Sequence, residues 1–128
     1  MRQVEALGHT IELDWTVGVR AAIAAGRKDA ELTLLERQTV AQDDADAVSR
    51  CDLFVLLSPF NATSPGCFIE FGMACVMPVT GALRCVAVVL DVGARDSLFF
   101  GLADKLFKTT AAALEWIGPC DVQPAEVP

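Results

Sequence analysis

Two periods of hydrophobic patterning alternate along the chain, and together they predict alternating strands and helices. Thr10-Ile11-Glu12-Leu13-Asp14-Trp15 alternates apolar with polar and predicts a strand. Leu53-Phe54-Val55-Leu56-Leu57 and Cys85-Val86-Ala87-Val88-Val89-Leu90 are unbroken apolar runs. Such runs are the pattern of strands covered on both sheet faces. Leu106-Phe107 predicts a short last strand. Between these runs the spacing is helical or small-residue. Arg2 to Leu7 predicts the last turns of a helix stopped by Gly8, and Gly18 to Ala25 a short helix or ordered loop. From Glu31 to Arg50, Leu32, Leu35, Thr39, Val40 and Val48 fall at loosely helical spacing, with Asp43, Asp44 and Asp46 grouped. Pro65 and Gly66 open a further helix that Pro78 and Gly81 end, and Thr110 to Ile117 predicts the last one. Residues 59–65 and 91–96 read as loops, and Gly118 to Pro128, with three prolines, as a poorly ordered tail.

Strands alternating with helices imply an α/β domain whose mostly parallel sheet is covered on both sides, a Rossmann-like sandwich over residues 1–117 followed by the tail at 118–128. Ligands of such sheets sit at the carboxyl ends of the strands. The loop after Leu57 and the start of the helix at Gly66 lie at that edge.

Composition narrows the classes of function. At 128 residues with 53% hydrophobic residues the chain can bury a real core and is not a disordered segment. No apolar run approaches the roughly 18 residues of a membrane-spanning helix. The first residues, with Glu5, Gly8 and His9, do not resemble a signal peptide, so the chain reads as cytoplasmic and membrane-free. A net charge of −7 excludes the basic stripe that coats a nucleic acid polymer, and leaves a small nucleotide open as a substrate. Cys51, Cys67, Cys75, Cys85 and Cys120 form no CxxC pair and no metal-finger spacing. The first four stand in apolar surroundings and read as reduced core thiols, with Cys120 exposed in the tail. The single histidine, His9, reads as a surface turn residue, and neither a metal nor a cofactor is expected.

The candidate chemistry centres on Glu70, the one charged residue in the stretch from Ser64 to Met77. With apolar or small neighbours on both sides it has no conventional charged, solvated face. Burying an ionised carboxylate is costly unless donors or a ligand compensate. The Pro65-Gly66 opening places Glu70 on the first turn of its helix, where the helix dipole favours the ionised form. A carboxylate held between these effects at a sheet rim suits a nucleophile; a half-exposed helix carboxylate fits the spacing equally well.

Asp44, then Asp52 eight residues later opening an apolar strand, then Gly66-x-x-x-Glu70-x-Gly72-x-Ala74, resembles the nucleoside 2-deoxyribosyltransferase superfamily. Gly8-His9 followed by Asp14-Trp15-Thr16 is similar to members of the same group. The resemblance covers roughly residues 1–117. It implies a flavodoxin-like three-layer sandwich and a glutamate at Glu70 that attacks the anomeric carbon of a deoxyribose. It also implies an aspartate at Asp44 assisting at the sugar and the departing base. Relatives that hydrolyse deoxynucleoside 5′-monophosphates carry a serine six residues before the glutamate, and Ser64 stands there, with Thr63 beside it. By the same resemblance Gly66, Asp14, Trp15 and Asp52 are candidate substrate-binding residues, no cofactor is required, and the protein is a homo-oligomer.

The chain departs from the family in one respect. Met1 falls within what corresponds to the family's first helix, and the chain has no tyrosine. By the resemblance either the true start lies upstream of Met1, or a rebuilt sheet or a partner subunit supplies the family's N-terminal strand and substrate-holding loop, or the protein no longer catalyses. Blander roles stand beside the chemical ones. Asp44 with Asp43 and Asp46 also makes a solvated acidic helix face. Ser64 also suits a helix N-cap, Asp52 the opening of a strand, Trp15 a core position, and Met73 with Met77 core packing. The expected function is cleavage or transfer at the N-glycosidic bond of a 2′-deoxynucleoside or its 5′-monophosphate through a covalent glycosyl-glutamate. The alternatives are a non-catalytic nucleotide-binding module of the same fold and a purely structural or interaction protein.

Overall fold

Val88 has no exposed surface and marks the centre of the structure, a computed structural model that describes residues 2–12, 26, 31–58, 66–77, 84–90 and 97–120. Val88 lies in β2 (Cys85–Leu90), the middle strand of a three-stranded parallel sheet of order β1-β2-β3. β1 (Leu53–Ser58) pairs with β2 in register from Leu53↔Cys85 to Ser58↔Leu90. β3 (Lys105–Phe107) pairs along its other side from Ala87↔Lys105 to Val89↔Phe107. Val86, Ala87, Val88 and Val89 are all buried, as a central strand covered on both faces requires. β1 is less enclosed: Leu56 is buried while its neighbour Leu57 is 59% exposed.

Around the sheet stand four helices among the described residues. They are α1 (Arg2–Ala6), α2 (Leu34–Arg50), α3 (Gly66–Val76) and α4 (Thr110–Ile117), with a 3-10 turn at Leu98–Leu102. A reciprocal cap starts α2: the Glu36 amide donates to Thr33 Oγ1 at 3.2 Å and the Thr33 amide donates to Glu36 Oε2 at 2.8 Å. Helix α2 buries only Ala47 and Val48, near its C-terminal end, while Leu34, Leu35 and Val40 stay exposed. Phe71 and Ala74 of α3 are buried in one cluster with Val48, Leu56, Val86, Val88 and Phe100. Phe100, from the 3-10 turn, meets the Phe71 ring edge-on at 5.7 Å and stacks with Phe68 at 6.4 Å. Asp104 splices β3 to β2, because its Oδ2 accepts from the Val86 amide and its own amide donates to the Val86 carbonyl, both at 2.8 Å. On β3, Phe107 contacts Trp116 of α4 at 5.3 Å.

This is an α/β architecture with a parallel sheet, consistent with a Rossmann-like fold, and the strands at 53–58, 85–90 and 105–107 fall where the apolar runs predict them. Three expectations need correction. Thr10, Ile11 and Glu12 are not strand residues; Leu13, Asp14 and Trp15 lie outside the described residues. Hydrogen bonds across the chain give the reason. Gly8 closes α1 with φ +88, a conformation natural to glycine, and the next residues turn toward the end of α4. His9 Nε2–H donates to the Gly118 carbonyl at 2.9 Å, and the Cys120 amide donates to the Leu7 carbonyl at 2.7 Å. His9 is therefore a half-buried tie rather than a surface turn residue, and Gly118 to Cys120 are anchored rather than loose. The 3-10 turn at Leu98–Leu102, for which the chain carried no expectation because it is too short to show a helical period, is opened by the Ser97 hydroxyl accepting from the Phe99 amide. The expectations for 18–25, 59–65 and 91–96 and for Pro78 and Gly81 lie outside the described residues. No helix among the described residues is long and apolar enough to cross a membrane.

Candidate functional site

Helices α2 and α3 pack against each other, and each runs toward the same end of the sheet: α2 leads directly into the amino end of β1, and α3 returns from the direction of its carboxyl end. Across their contact the charge of Asp44 reaches Glu70. Both carboxylates are half-buried. The Glu70 carboxyl is held above its ordinary proton affinity first by burial and then by the negative charge of Asp44. Asp44 is likewise pushed up, by burial and then by the charge of Asp43 beside it. A half-buried carboxyl beside a like charge resists ionisation, so each of the two binds a proton more readily than a solvated carboxylate would, Glu70 because of Asp44 and Asp44 because of Asp43.

Glu70 does not stand on the first turn of its helix. Helix α3 begins at Gly66, so its first turn ends at Ile69 and carries no acid, and Glu70 opens the second turn. The attraction of a helix N-terminus for negative charge fades within that first turn. Burial and Asp44 therefore prevail, and the net direction is upward. The Cys67 thiol, one turn before Glu70, is pushed up by burial and by the Glu70 charge. That disfavours the thiolate, the nucleophilic form of cysteine. Burial also pushes up Cys51, Cys75 and Cys85. All five cysteines are free thiols, with Cys120 the exposed one.

Below the pair the two helices are joined by a single side chain that the sequence reading did not single out. Arg84, at the opening of β2, donates from Nε to the Cys51 carbonyl at 3.0 Å. Its Nη1 donates to the carbonyls of Ala74 at 2.9 Å and Met77 at 3.0 Å, and its Nη2 donates to the Val48 carbonyl at 2.5 Å. A signal for it was present: Arg84 is the only charged residue between Glu70 and Asp91.

The remaining candidates are dispersed. Gly66 is the first residue of α3. Asp52 is exposed at the amino end of β1, where its carbonyl accepts from the Cys85 amide at 2.9 Å; this is the sheet edge opposite the one from which α3 starts, and Asp52 does not join the pair. Ser64, Asp14 and Trp15 lie outside the described residues. A second residue missed in the sequence is Ser58, at the carboxyl end of β1. It is buried, and its hydroxyl has no hydrogen-bond partner among the described residues. Met73 and Met77, read as core packing, do pack against the core cluster.

A cavity of about 280 Å³ lies between α3 and the 3-10 turn, lined by Phe68, Phe71, Gly72, Phe99, Phe100 and Leu102 together with Ser97. Successive helical residues turn by about 100°, so Phe68 and Gly72 project from the flank of α3 opposite Glu70. This apolar cavity and the carboxylate pair are separate features. No group of three or more histidine, cysteine or acidic side chains among the described residues could hold a metal ion. No family model, curated protein or solved structure matches the chain.

Proposed function

We propose that the chain is an N-glycosidic bond enzyme, a 2-deoxyribosyltransferase or hydrolase that acts on 2′-deoxynucleosides or their 5′-monophosphates in the cytoplasm. The observation that carries this reading is that Asp44 and Glu70 are two half-buried carboxylates on adjacent helices, each with raised proton affinity, the charge of Asp44 reaching Glu70. Glycoside chemistry with a covalent intermediate needs one carboxylate as nucleophile and one acid near the leaving group. In the proposed sequence the ionised Glu70 oxygen bonds to the anomeric carbon while the bond to the base breaks and its electron pair goes to the base nitrogen. Asp44 in its protonated form delivers the proton that frees the base. A water molecule or a second base then attacks the anomeric carbon, loses a proton to Asp44, and restores the Glu70 carboxylate. The resemblance to the nucleoside 2-deoxyribosyltransferase superfamily supports the same assignment and, with it, a flavodoxin-like three-layer sandwich.

A homo-oligomer belongs to this reading, and Leu98, Phe99 and Leu102, exposed on the 3-10 turn, with Ile69, exposed on α3, favour self-association. Phe71 is buried and Phe68 and Met73 pack on the core, so these three do not form the contact surface. Light scattering that returns a monomer at micromolar concentration would remove the oligomer from the proposal.

The deciding experiment incubates the protein with deoxynucleosides and their monophosphates, with and without an acceptor base, and follows free base. Release that is lost in Glu70→Gln supports the enzyme. Ligand-induced thermal stabilisation without any release assigns the chain to nucleotide binding instead.

A further inference from the structure

Val48 stands four residues after Asp44, and Ala74 stands four residues after Glu70. The two carbonyls that share the Arg84 guanidinium are therefore each one helical turn, about 6 Å along the axis, beyond a carboxylate of the pair. We propose that Arg84 is a positioning residue: its guanidinium joins the backbones of α2 and α3 one turn beyond Asp44 and Glu70 and so fixes the separation of the two carboxylates. This deepens the proposed function and rests on its reading of that pair as the reactive centre.

The chemistry of the clamp favours arginine. The last four carbonyls of a helix have no partner within it. Val48 belongs to that set in α2 and Ala74 in α3, and Cys51 and Met77 follow the two helix ends. One guanidinium satisfies all four acceptors while placing a positive charge at two helix C-termini, where it is favoured. Its donors form a rigid planar fork, so the four carbonyls share one frame; a lysine offers three donors on a flexible stem and no fixed plane. The side chains of Val48 and Ala74 are themselves buried in the core cluster, which closes the helix seam at the level of the clamp.

Arg84 acts on the pair through geometry rather than through its field. Its charge lowers the proton affinity of the Cys51 and Cys75 thiols. What acts on Glu70 is burial and Asp44; what acts on Asp44 is burial and Asp43. The other titratable group beside Glu70 among the described residues is the Cys67 thiol on its own helix.

The test reads the titration of Glu70 by carboxyl carbon NMR in the parent, Arg84→Lys, Asp44→Asn and the double variant. Arg84→Lys keeps the charge and removes the fork. It is expected to move the Glu70 midpoint down, in the same direction as Asp44→Asn and by at least half as much. The double variant should move no further than Asp44→Asn alone. An unchanged Glu70 midpoint in a folded Arg84→Lys protein overturns the proposal. Should that variant not fold, the parent decides: its Arg84 guanidinium hydrogens should exchange with solvent more slowly than those of the exposed Arg2, and exchange as fast as that of Arg2 overturns the clamp. None of these measurements needs a substrate, so a chain that releases no base yet shows the expected shifts loses the glycosidic reading and keeps the clamp.

Discussion

The charge of Asp44 on α2 reaches Glu70 on α3 and, after burial, is the second cause that holds the Glu70 carboxyl above its ordinary proton affinity. The sign of the linkage follows. A carboxyl whose folded pKa exceeds its unfolded value binds protons more tightly in the folded state, so stability declines as pH rises through that interval. The ordinary values are 3.8 for Asp44 and 4.5 for Glu70, so the stability these groups contribute is whole below that range and lost as pH rises through the raised folded values. Glu70→Gln removes one ionisation and should be more stable than the parent near neutral pH, with the gain vanishing at acid pH. Urea melts of the two proteins from acid to neutral pH measure it. A Gln variant less stable than the parent at neutral pH would mean that Glu70 has a compensating partner.

Phe100 carries the packing beneath α3. It is 2% exposed and its ring meets both Phe68 and Phe71. Phe100→Ala should cost about 3–5 kcal/mol, the range for removing a buried phenylalanine. Thr33→Ala should cost about 1 kcal/mol, because it breaks only the exposed cap of α2. Denaturant melts of the two variants side by side check the order; equal losses would place the core elsewhere.

The contrast between those two residues also explains what could be read in advance. Val86 to Val89 announce a central strand because every position is apolar, and the Thr33-x-x-Glu36 cap is local chemistry, satisfied within three residues. Glu70 stood out for the same local reason, as a lone charge among apolar neighbours. Its partner Asp44 did not, since Asp43 and Asp46 allow an ordinary acidic face, and only the packing of α2 on α3 selects one acid of the three. Arg84 and His9 were harder still. Their acceptors lie between 7 and 36 residues away for Arg84 and 109 away for His9, and pairings over such separations leave no periodic trace in the chain. The Thr10–Trp15 alternation misled over Thr10–Glu12 because the tie from His9 to Gly118 overrides a local strand preference.

Gly72 belongs to the motif that suggests the family, yet a Cβ added there meets nothing within 4 Å. It sits inside α3, where glycine costs roughly 0.5–1 kcal/mol relative to alanine. Gly72→Ala should therefore stabilise the protein by about that amount and leave the Glu70 titration unchanged, since the two residues project from opposite flanks of the helix. Thermal melts and carboxyl NMR check both halves. Destabilisation would mean that the cavity beside Phe68 and Phe99 is filled in solution.

Ser58 offers the sharpest separation of stability from binding. Its hydroxyl is buried at the carboxyl end of β1, the edge at which α/β sheets take their ligands, and it has no partner among the described residues. An unsatisfied buried polar group costs about 1–3 kcal/mol, so Ser58→Ala should raise the unfolding free energy by about 1 kcal/mol, the low end of that range. A hydroxyl kept at such a cost is explained if a ligand supplies the missing hydrogen bond. The same substitution should then weaken the thermal stabilisation given by deoxynucleoside monophosphates. A variant that gains stability and keeps full ligand response makes Ser58 a packing residue; one that loses both was satisfied all along by a partner within the fold.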